Sequence, residues 1–356
     1  MKINKRWYPT IYKLKDKNIW TKGKEKMKIN KQLKIALSLI LSLGVTTGCN
    51  NRTKNTDKAI KEVAIIQYVE HTSLNTIRDA FYEQMEALGY IEGENIHYTF
   101  KNAQGDTSTA PSIIQGFASS QKDCVVAIAT PVAQAAANMA DNTPIIFAAV
   151  TDPISAGLVT TLENPDKNIT GTSDEIQVEL ILEKALEINP NLTKLGVIYN
   201  KGEVNSVTNI AKAKEFCKEH GIELVEATIT GINEVQSAID VLTSKCDAIF
   251  APNDNTVASS MDLIGPACLA AKVPLYVGAD SMVQDGGFLS VGINYQELGR
   301  ETAKMVDKVL QGTDVKDIPV KVFNDNLSIY VNKNVLNQLG IELPSSIKED
   351  TSYQEM

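Results

Sequence analysis

DCVVAIATPVAQAAANMA, residues 123–140, decides the fold. The apolar run 124–129 behind Asp123 has the length of a strand and no polar side, so it reads as a strand buried on both faces. Thr130 and Pro131 then supply a helix N-cap and a first-turn proline ahead of an alanine-rich helix. The strand therefore delivers the chain straight onto a helix N-terminus. The first N–H groups there have no partner within the helix, so the joint can hold a carboxylate or another anion. DAIFAPNDNTVASS, residues 247–260, repeats the joint, with an apolar strand running into Asn253-Asp254-Asn255 and a helix. Two such units suggest two similar lobes presenting strand-end loops to a shared cleft. Every α/β protein has such joints, so these segments alone leave a ligand cleft and a plain structural turn equally open.

Working outward, residues 63–69 (VAIIQYV) read as a strand, 70–73 as a loop with capping residues, and 74–88 as a helix stopped by Gly89. Leu74, Ile77, Phe81, Met85 and Leu88 form its apolar stripe. Residues 96–101 alternate as a second strand, and a helix falls within 113–120. Residues 144–150 (PIIFAAV) form a buried strand ending in Thr151-Asp152-Pro153. There Asp152 either caps a turn or faces a cleft and pairs with a cationic ligand group, the second being slightly preferred.

NITG at 168–171 marks a crossing into a second series, which begins with a helix over 175–188 that Pro190 stops. Strands at 195–199, 223–227, 248–251, 275–277 and 287–293 follow. Between them lie a polar loop over 200–206 and helices over 207–219, 235–242 and 256–271. An amphipathic helix over 295–310, short strands at 320–323 and 327–331, a helical turn at 335–339 and a polar tail complete the chain. Strict alternation in two blocks predicts an α/β protein of two doubly wound, parallel-sheet lobes. Ligands of such sheets sit outside the carboxyl ends of the strands, where Glu70, Thr130, Asp152, Asn205, Asp254 and Asp280 all fall.

The first 50 residues are different in kind. Lys31 to Lys34 precede an apolar run, IALSLILSLGV, and then Thr46-Thr47-Gly48-Cys49. That is a basic n-region and an h-region too short to span a bilayer, hence a signal segment. The ending resembles the lipobox of bacterial lipoproteins, in which the cysteine receives lipid and becomes the new N-terminus; Thr46 departs from the aliphatic residue usual there. Lipidation at Cys49 is expected, the alternative being a plain secretory signal with a buried Cys49. Met27 opens MKINKQLK, echoing MKINKRW at Met1, so residues 1–26 read as an over-called start or a processed extension, 27–48 as the signal peptide and 49–60 as a lipid-anchored tether.

Charge separates the same regions. Residues 1–48 hold 12 of the 35 Lys and Arg but 2 of the 43 acids, leaving a body with 23 bases, 41 acids and a net charge of −18. Such a body repels nucleic acid and anionic lipid. Its arginines are Arg52, Arg78 and Arg300, few for binding phosphate through guanidinium forks, and both tryptophans, Trp7 and Trp20, lie in the leader. Cys124, Cys217, Cys246 and Cys268 stand singly within apolar patterns and read as buried free thiols, with a disulfide left open by export. No metal or cofactor is expected. Dinucleotide, P-loop, zinc-protease and hydrolase-elbow motifs are all missing, and His71, His97 and His220 are scattered, so an enzyme is not expected.

AIATPVAQAAAN, PIIFAAVTDPISAGLV, NITGTSDE, LGVIYNKGEVNSV, DAIFAPNDNTVASS and SVGINYQELGR, taken together and in this order, resemble the ABC-transporter substrate-binding lipoproteins of the tryptophan/tyrosine-type permease family. The resemblance runs from about residue 63 to 339. It implies a type I periplasmic-binding-protein fold, two lobes joined by a three-crossover hinge, closing over a small ligand for an ABC permease and its ATPase. Residues 61–170 with 295–323 would form the first lobe, 171–294 with 324–345 the second, and 346–356 a polar tail. Aromatic amino acids are the implied ligands, and Tyr68, Glu70, Thr130, Thr151, Asp152, Asn205, Ser206, Asp254, Asn255 and Asp280 the implied contacts.

An amino acid needs an anion site and a cation site a few ångströms apart. Helix N-termini at Pro131 and Val207, with Thr130, Asn205 and Ser206, fit the first; Asp152, Asp254 or Asp280 fit the second; Tyr68 or Tyr199 would receive an apolar side chain. In the competing reading each of these polar groups caps a helix or holds backbone. A sugar or nucleoside binder on the same fold, and a sensor or surface lipoprotein without transport, stay open as alternatives.

Overall fold

The computed structural model describes residues 60–324 and 327–356. The leader, the tether and Cys49 lie outside the described residues. Six parallel strands form the first sheet, in the spatial order β11 (Lys321–Val322), β5 (Ile169–Ser173), β4 (Ile145–Ala148), β3 (Cys124–Ile128), β1 (Lys61–Gln67) and β2 (Ile96–Asn102). Every residue of β3 is buried, as a strand covered on both faces requires. Seven strands form the second sheet, in the order β13 (Tyr353–Glu355), β12 (Ser328–Val331), β10 (Leu289–Gly292), β9 (Leu275–Val277), β8 (Ala248–Ala251), β6 (Lys194–Asn200) and β7 (Glu223–Ile229). Only β10 and β12 pair antiparallel in it.

Successive crossovers run in opposite directions along each sheet, which places helices on both faces. In the first lobe α1 (Thr72–Ala87) packs along α10 (Tyr295–Leu310), while α2 (Ala110–Ala118) and α3 (Thr130–Ala136) cover the other face. In the second, α4 (Val178–Ile188) and α5 (Val204–His220) enclose one core with β6, β9 and β10. The opposite face, under α6 (Val235–Thr243) and α8 (Met261–Ala270), is continuous with the core of the first lobe. The chain passes between the sheets after β5, before α10 and between β11 and β12. Among the described residues no helix is long and apolar enough to cross a membrane.

Four elements differ from the sequence reading. NITG is not a crossing: residues 169–173 are a buried strand, and the chain leaves the first sheet only beyond Ser173. Gly171 permits this, since a Cβ there would stand 2.0 Å from the Phe147 carbonyl oxygen. The polar tail adds β13 to the second sheet. The helix expected over 256–271 is broken into α7 (Asn255–Ala258) and α8, because the Ser259 and Ser260 hydroxyls return to the carbonyls of Asn255 (2.6 Å) and Thr256 (2.9 Å) and compete with the helical ladder. The loop over 200–206 is shorter than expected, as α5 already starts at Val204. Cys124, Cys217, Cys246 and Cys268 are buried free thiols.

Candidate functional site

The carboxyl ends of β1, β3, β4 and β5 face those of β6, β8 and β9 across the junction of the two lobes. Two of these ends are bent by unusual backbone. Ala129 after β3 has φ +88° and ψ 152°, a region that glycine alone adopts freely, and Ala149 after β4 has φ +54°. The strained turns carry Thr130 and Thr151. On the facing side Gly278 after β9 lies so close to the loop after β8 that a Cβ would stand 2.5 Å from the Asn253 backbone nitrogen. Glycine there lets the Asn253 loop reach the junction.

Between the lobes is a small enclosed cavity of about 20 Å³, lined by His71, Thr130, Thr151, Asp174, Asn205, Asn253, Asn255 and Tyr295 among others. Asp174 is its acid. It accepts hydrogen bonds from the Thr151 hydroxyl (2.9 Å), the Asn253 amide (2.8 Å) and the Tyr295 hydroxyl (3.0 Å), so residues of both lobes converge on one carboxylate. Burial raises its pKa, and these three donors oppose the shift. A carboxylate has about four acceptor positions, so one remains. No lysine or arginine lines the cavity.

Three polar atoms of this lining are sealed from solvent without a hydrogen-bond partner: Thr130 Oγ1, Asn205 Oδ1 and His71 Nδ1. Native interiors satisfy nearly all such atoms, so three around one cavity make it the candidate place for another molecule, ligand or water. Asn205 cannot simply turn, because its amide nitrogen donates to the Asn253 carbonyl (3.1 Å) and approaches Glu203 (3.3 Å). The His71 ring contacts Asn255 Oδ1 through Nε2 (3.3 Å), and burial pushes its pKa down to about 4.

Beneath the cavity lies a second acidic layer. Glu203 accepts from the Asn255 backbone (3.1 Å) and amide (2.5 Å) and from the Thr256 backbone (3.2 Å) and hydroxyl (3.0 Å). Asp254 accepts from the Asn200 backbone (2.6 Å), the Ser206 hydroxyl (2.6 Å) and the Val257 backbone (2.9 Å). Burial raises the pKa of both carboxyls, and their proximity raises that of Glu203 further. This layer fixes the loop that carries Asn253 and Asn255.

The lobes are closed on one another. Besides His71 with Asn255, Ser73 and Ser281 share a hydroxyl–hydroxyl bond of 2.5 Å, and the Asn253 amide donates to the Thr151 hydroxyl at 2.9 Å. Beside the enclosed cavity a wider groove of about 500 Å³ runs between Tyr68, Gly105 and Asp106 on one lobe and Asn200, Glu203, Ile232 and Asn255 on the other.

The ten residues implicated by sequence separate accordingly. Thr130, Thr151, Asn205 and Asn255 line the enclosed cavity; Tyr68 lines the wider groove, its hydroxyl donating to the Gly105 carbonyl at 2.8 Å. Ser206 and Asp254 are buried beneath, with the Asp254 oxygens occupied within the second lobe. Asp152 caps its own turn, accepting from the Ser155 backbone at 2.9 Å, and lines neither space. Glu70 is exposed on an outer groove with Asp262 and Asp285. Asp280 accepts from the Ser281 backbone at 2.7 Å, and burial pushes its pKa up to about 6. Tyr199 points elsewhere, its hydroxyl on Glu226 at 2.9 Å. Thr130 is not an N-cap: Ala129 holds that position, and the Thr130 hydroxyl is left free for the cavity. Sequence reasoning passed over Asp174, Glu203, Asn253 and Tyr295. The polar pair Ser173-Asp174 at the end of the β-branched ITGT stretch was the available signal for the first.

Two hinged lobes closing over a buried polar cavity, with loops from both contributing, define a protein that binds a small molecule by enclosure. The chain belongs to the ABC transporter substrate binding protein family, whose model matches residues 62–353. It is therefore a binding component rather than an enzyme, working outside the cytoplasm with a small ligand and a permease as partners. It is similar to the tyrosine-binding protein of Clostridioides difficile, at 37% identity over 325 residues, 89% of this chain and 94% of that one. Among solved structures it is similar to an ABC domain in complex with L-Trp from Streptococcus pneumoniae, at 33% identity and a TM-score of 0.79, covering 84% of this chain and 100% of the other. It is also similar to the ligand-free, open structure of a substrate binding protein with adhesive properties from Clostridium difficile, at 41% identity and a TM-score of 0.63, covering 83% and 100%. The open relative superposes less well despite its higher identity, as expected when lobe angle, and not lobe structure, differs.

Proposed function

We propose that this protein binds an aromatic amino acid, tyrosine, tryptophan or phenylalanine, and presents it in the closed form to its permease. The observation that carries the reading is the convergence of Thr130 Oγ1, Asn205 Oδ1 and His71 Nδ1, unpartnered and sealed, on one cavity that also holds Asp174. In this reading Asp174 and the Asn205 oxygen receive the α-ammonium group, and Thr130 donates to the α-carboxylate. Tyrosine binding and L-Trp binding by the two relatives support the choice of side chain.

A cavity of about 20 Å³ has room for roughly one water. The amino acid therefore enters only after the lobes part, which breaks the Ser73–Ser281 and His71–Asn255 contacts, and the lobes close again around it in a wider polar pocket, its side chain extending toward Tyr68 and the wider groove. The ligand favours the closed state by its differential affinity for the two states, and the permease reads that state. The hinge divides the lobes just beyond Ser173, before Tyr295 and between β11 and β12. After the signal segment directs export and is removed, lipid on Cys49 tethers the body to the outer face of the membrane, a reading that loses its basis if Cys49→Ala leaves the protein equally membrane-bound.

A thermal-shift panel of amino acids, sugars and nucleosides tests the ligand class. At about 100 times its dissociation constant a ligand adds roughly 2.7 kcal/mol of stability. An aromatic amino acid is expected to give such a shift. A response to a sugar or nucleoside with none to any amino acid would overturn the ligand and leave the fold standing.

A further inference from the structure

At the edge of the first sheet, away from the cleft, α1 and β2 enclose a second concavity of about 510 Å³. Its walls are Tyr82 and Glu86, one turn apart on α1; Tyr90, Ile91 and Glu92 in the following turn; and Tyr98 on β2. None of these lines the space between the lobes. The Tyr82 and Tyr98 rings meet at 75° with centroids 5.0 Å apart, forming two walls of a corner. Phe81 stands edge-on behind both, at 5.7 Å and 6.3 Å, and fixes the corner from the core side. Tyr90 is held by its hydroxyl on Asp307 at 2.8 Å.

Two carboxylates share this corner with the three tyrosines. Glu92 accepts from the Tyr98 backbone at 3.0 Å and contacts the His97 ring at 2.9 Å, while Glu86 has no ion pair among the described residues. No lysine or arginine lines the concavity. Arg78, on the same helix, is engaged by Asp79 at 2.8 Å and lies over the Phe100 ring at 5.4 Å. The Tyr98 hydroxyl is sealed and unpartnered.

Tyrosine faces carry negative quadrupole potential, and a weakly hydrated cation gains from several at once. A hard metal ion would need converging oxygen ligands in place of ring faces. We propose that this concavity is a second binding site, specific for a small organic cation of the quaternary or methylated ammonium class, held against Tyr82, Tyr90 and Tyr98 by cation–π attraction and by the charge of Glu86 and Glu92. The site does not depend on which ligand occupies the cleft.

Choline and its neutral isostere 3,3-dimethylbutan-1-ol, titrated calorimetrically into the purified protein, test the proposal. Choline is expected to bind saturably, at least tenfold tighter than the isostere, and to do so equally with the cleft filled by its amino acid. Tyr82→Leu, which gives up the ring contacts with Phe81 and Tyr98 and so lowers the melting temperature, should weaken choline at least tenfold in the folded protein, and Glu86→Gln, on the exposed side, about threefold at an unchanged melting temperature, both leaving amino-acid binding unchanged. Equal affinity for choline and the isostere, no saturable binding, or choline binding that survives Tyr82→Leu in a folded protein would each overturn it.

Discussion

Replacing Thr130 by valine exchanges a hydroxyl for a methyl group at nearly constant volume, and the structure assigns opposite signs to its two consequences. Thr130 is 2% exposed and its hydroxyl oxygen has no protein partner, so in the unliganded protein no group of the fold offsets its desolvation cost. Such a cost is about 1–3 kcal/mol, and its removal should stabilise the empty protein by ~1 kcal/mol, raising the melting temperature by about 2 °C for a chain of this size. In the complex the same hydroxyl donates to a ligand carboxylate, a charged hydrogen bond of about 1.5–3 kcal/mol. Affinity for the amino acid should therefore fall roughly 10- to 100-fold. Differential scanning calorimetry without ligand and isothermal titration with it read the two effects separately. A less stable empty protein with unaltered affinity would refute the reasoning, because it would mean that the hydroxyl is satisfied within the fold and faces no ligand.

Three further outcomes follow from the same geometry. Ala129→Gly should relieve a backbone held at φ +88° and ψ 152° and raise stability by about 1 kcal/mol in chemical denaturation, after the entropic cost of glycine; a loss of stability would show that the turn is unstrained. His71 has its pKa lowered by burial to about 4, below the ordinary histidine value near 6.5, so its neutral form stabilises the closed fold. That contribution is whole above pH 6.5 and lost as the pH falls toward 4, up to about 3 kcal/mol. Asp280, raised to about 6, acts with the opposite sign, so the comparison is made between wild type and His71→Gln. Parallel stability–pH curves for the two would sink it. Asp254→Ala should cost about 3–5 kcal/mol by stranding the Asn200, Ser206 and Val257 donors, while Asp152→Ala should cost under about 1 kcal/mol and leave affinity unchanged; reversed effects would restore Asp152 as a ligand group.

Much of the architecture is legible in the chain because it is written locally. CVVAI and AIFA are too apolar to be anything but strands covered on both faces, and the alternation of such runs with helical stripes leaves few topologies. Brevity and polarity hid the exceptions: ITGTS pairs as a strand only because Gly171 admits the Phe147 carbonyl, and Tyr353–Glu355 pairs only because β12 offers an open edge. The site divides in the same way. That polar residues at strand ends face a junction follows from sequence order, and of the six named on that ground Thr130 and Asn205 line the cavity, beside Thr151 and Asn255, which the family resemblance implied. Which of the acids there is free depends on partners distant in the chain. Asp254 is spent on Asn200 and Ser206, Asp152 on its own turn, and Asp174, drawn between Thr151, Asn253 and Tyr295, stands where both lobes meet. Hydrophobic period and turn chemistry act over a few residues and so can be read along the chain, whereas the occupancy of a carboxylate's lone pairs is set by groups that only folding brings within 3 Å.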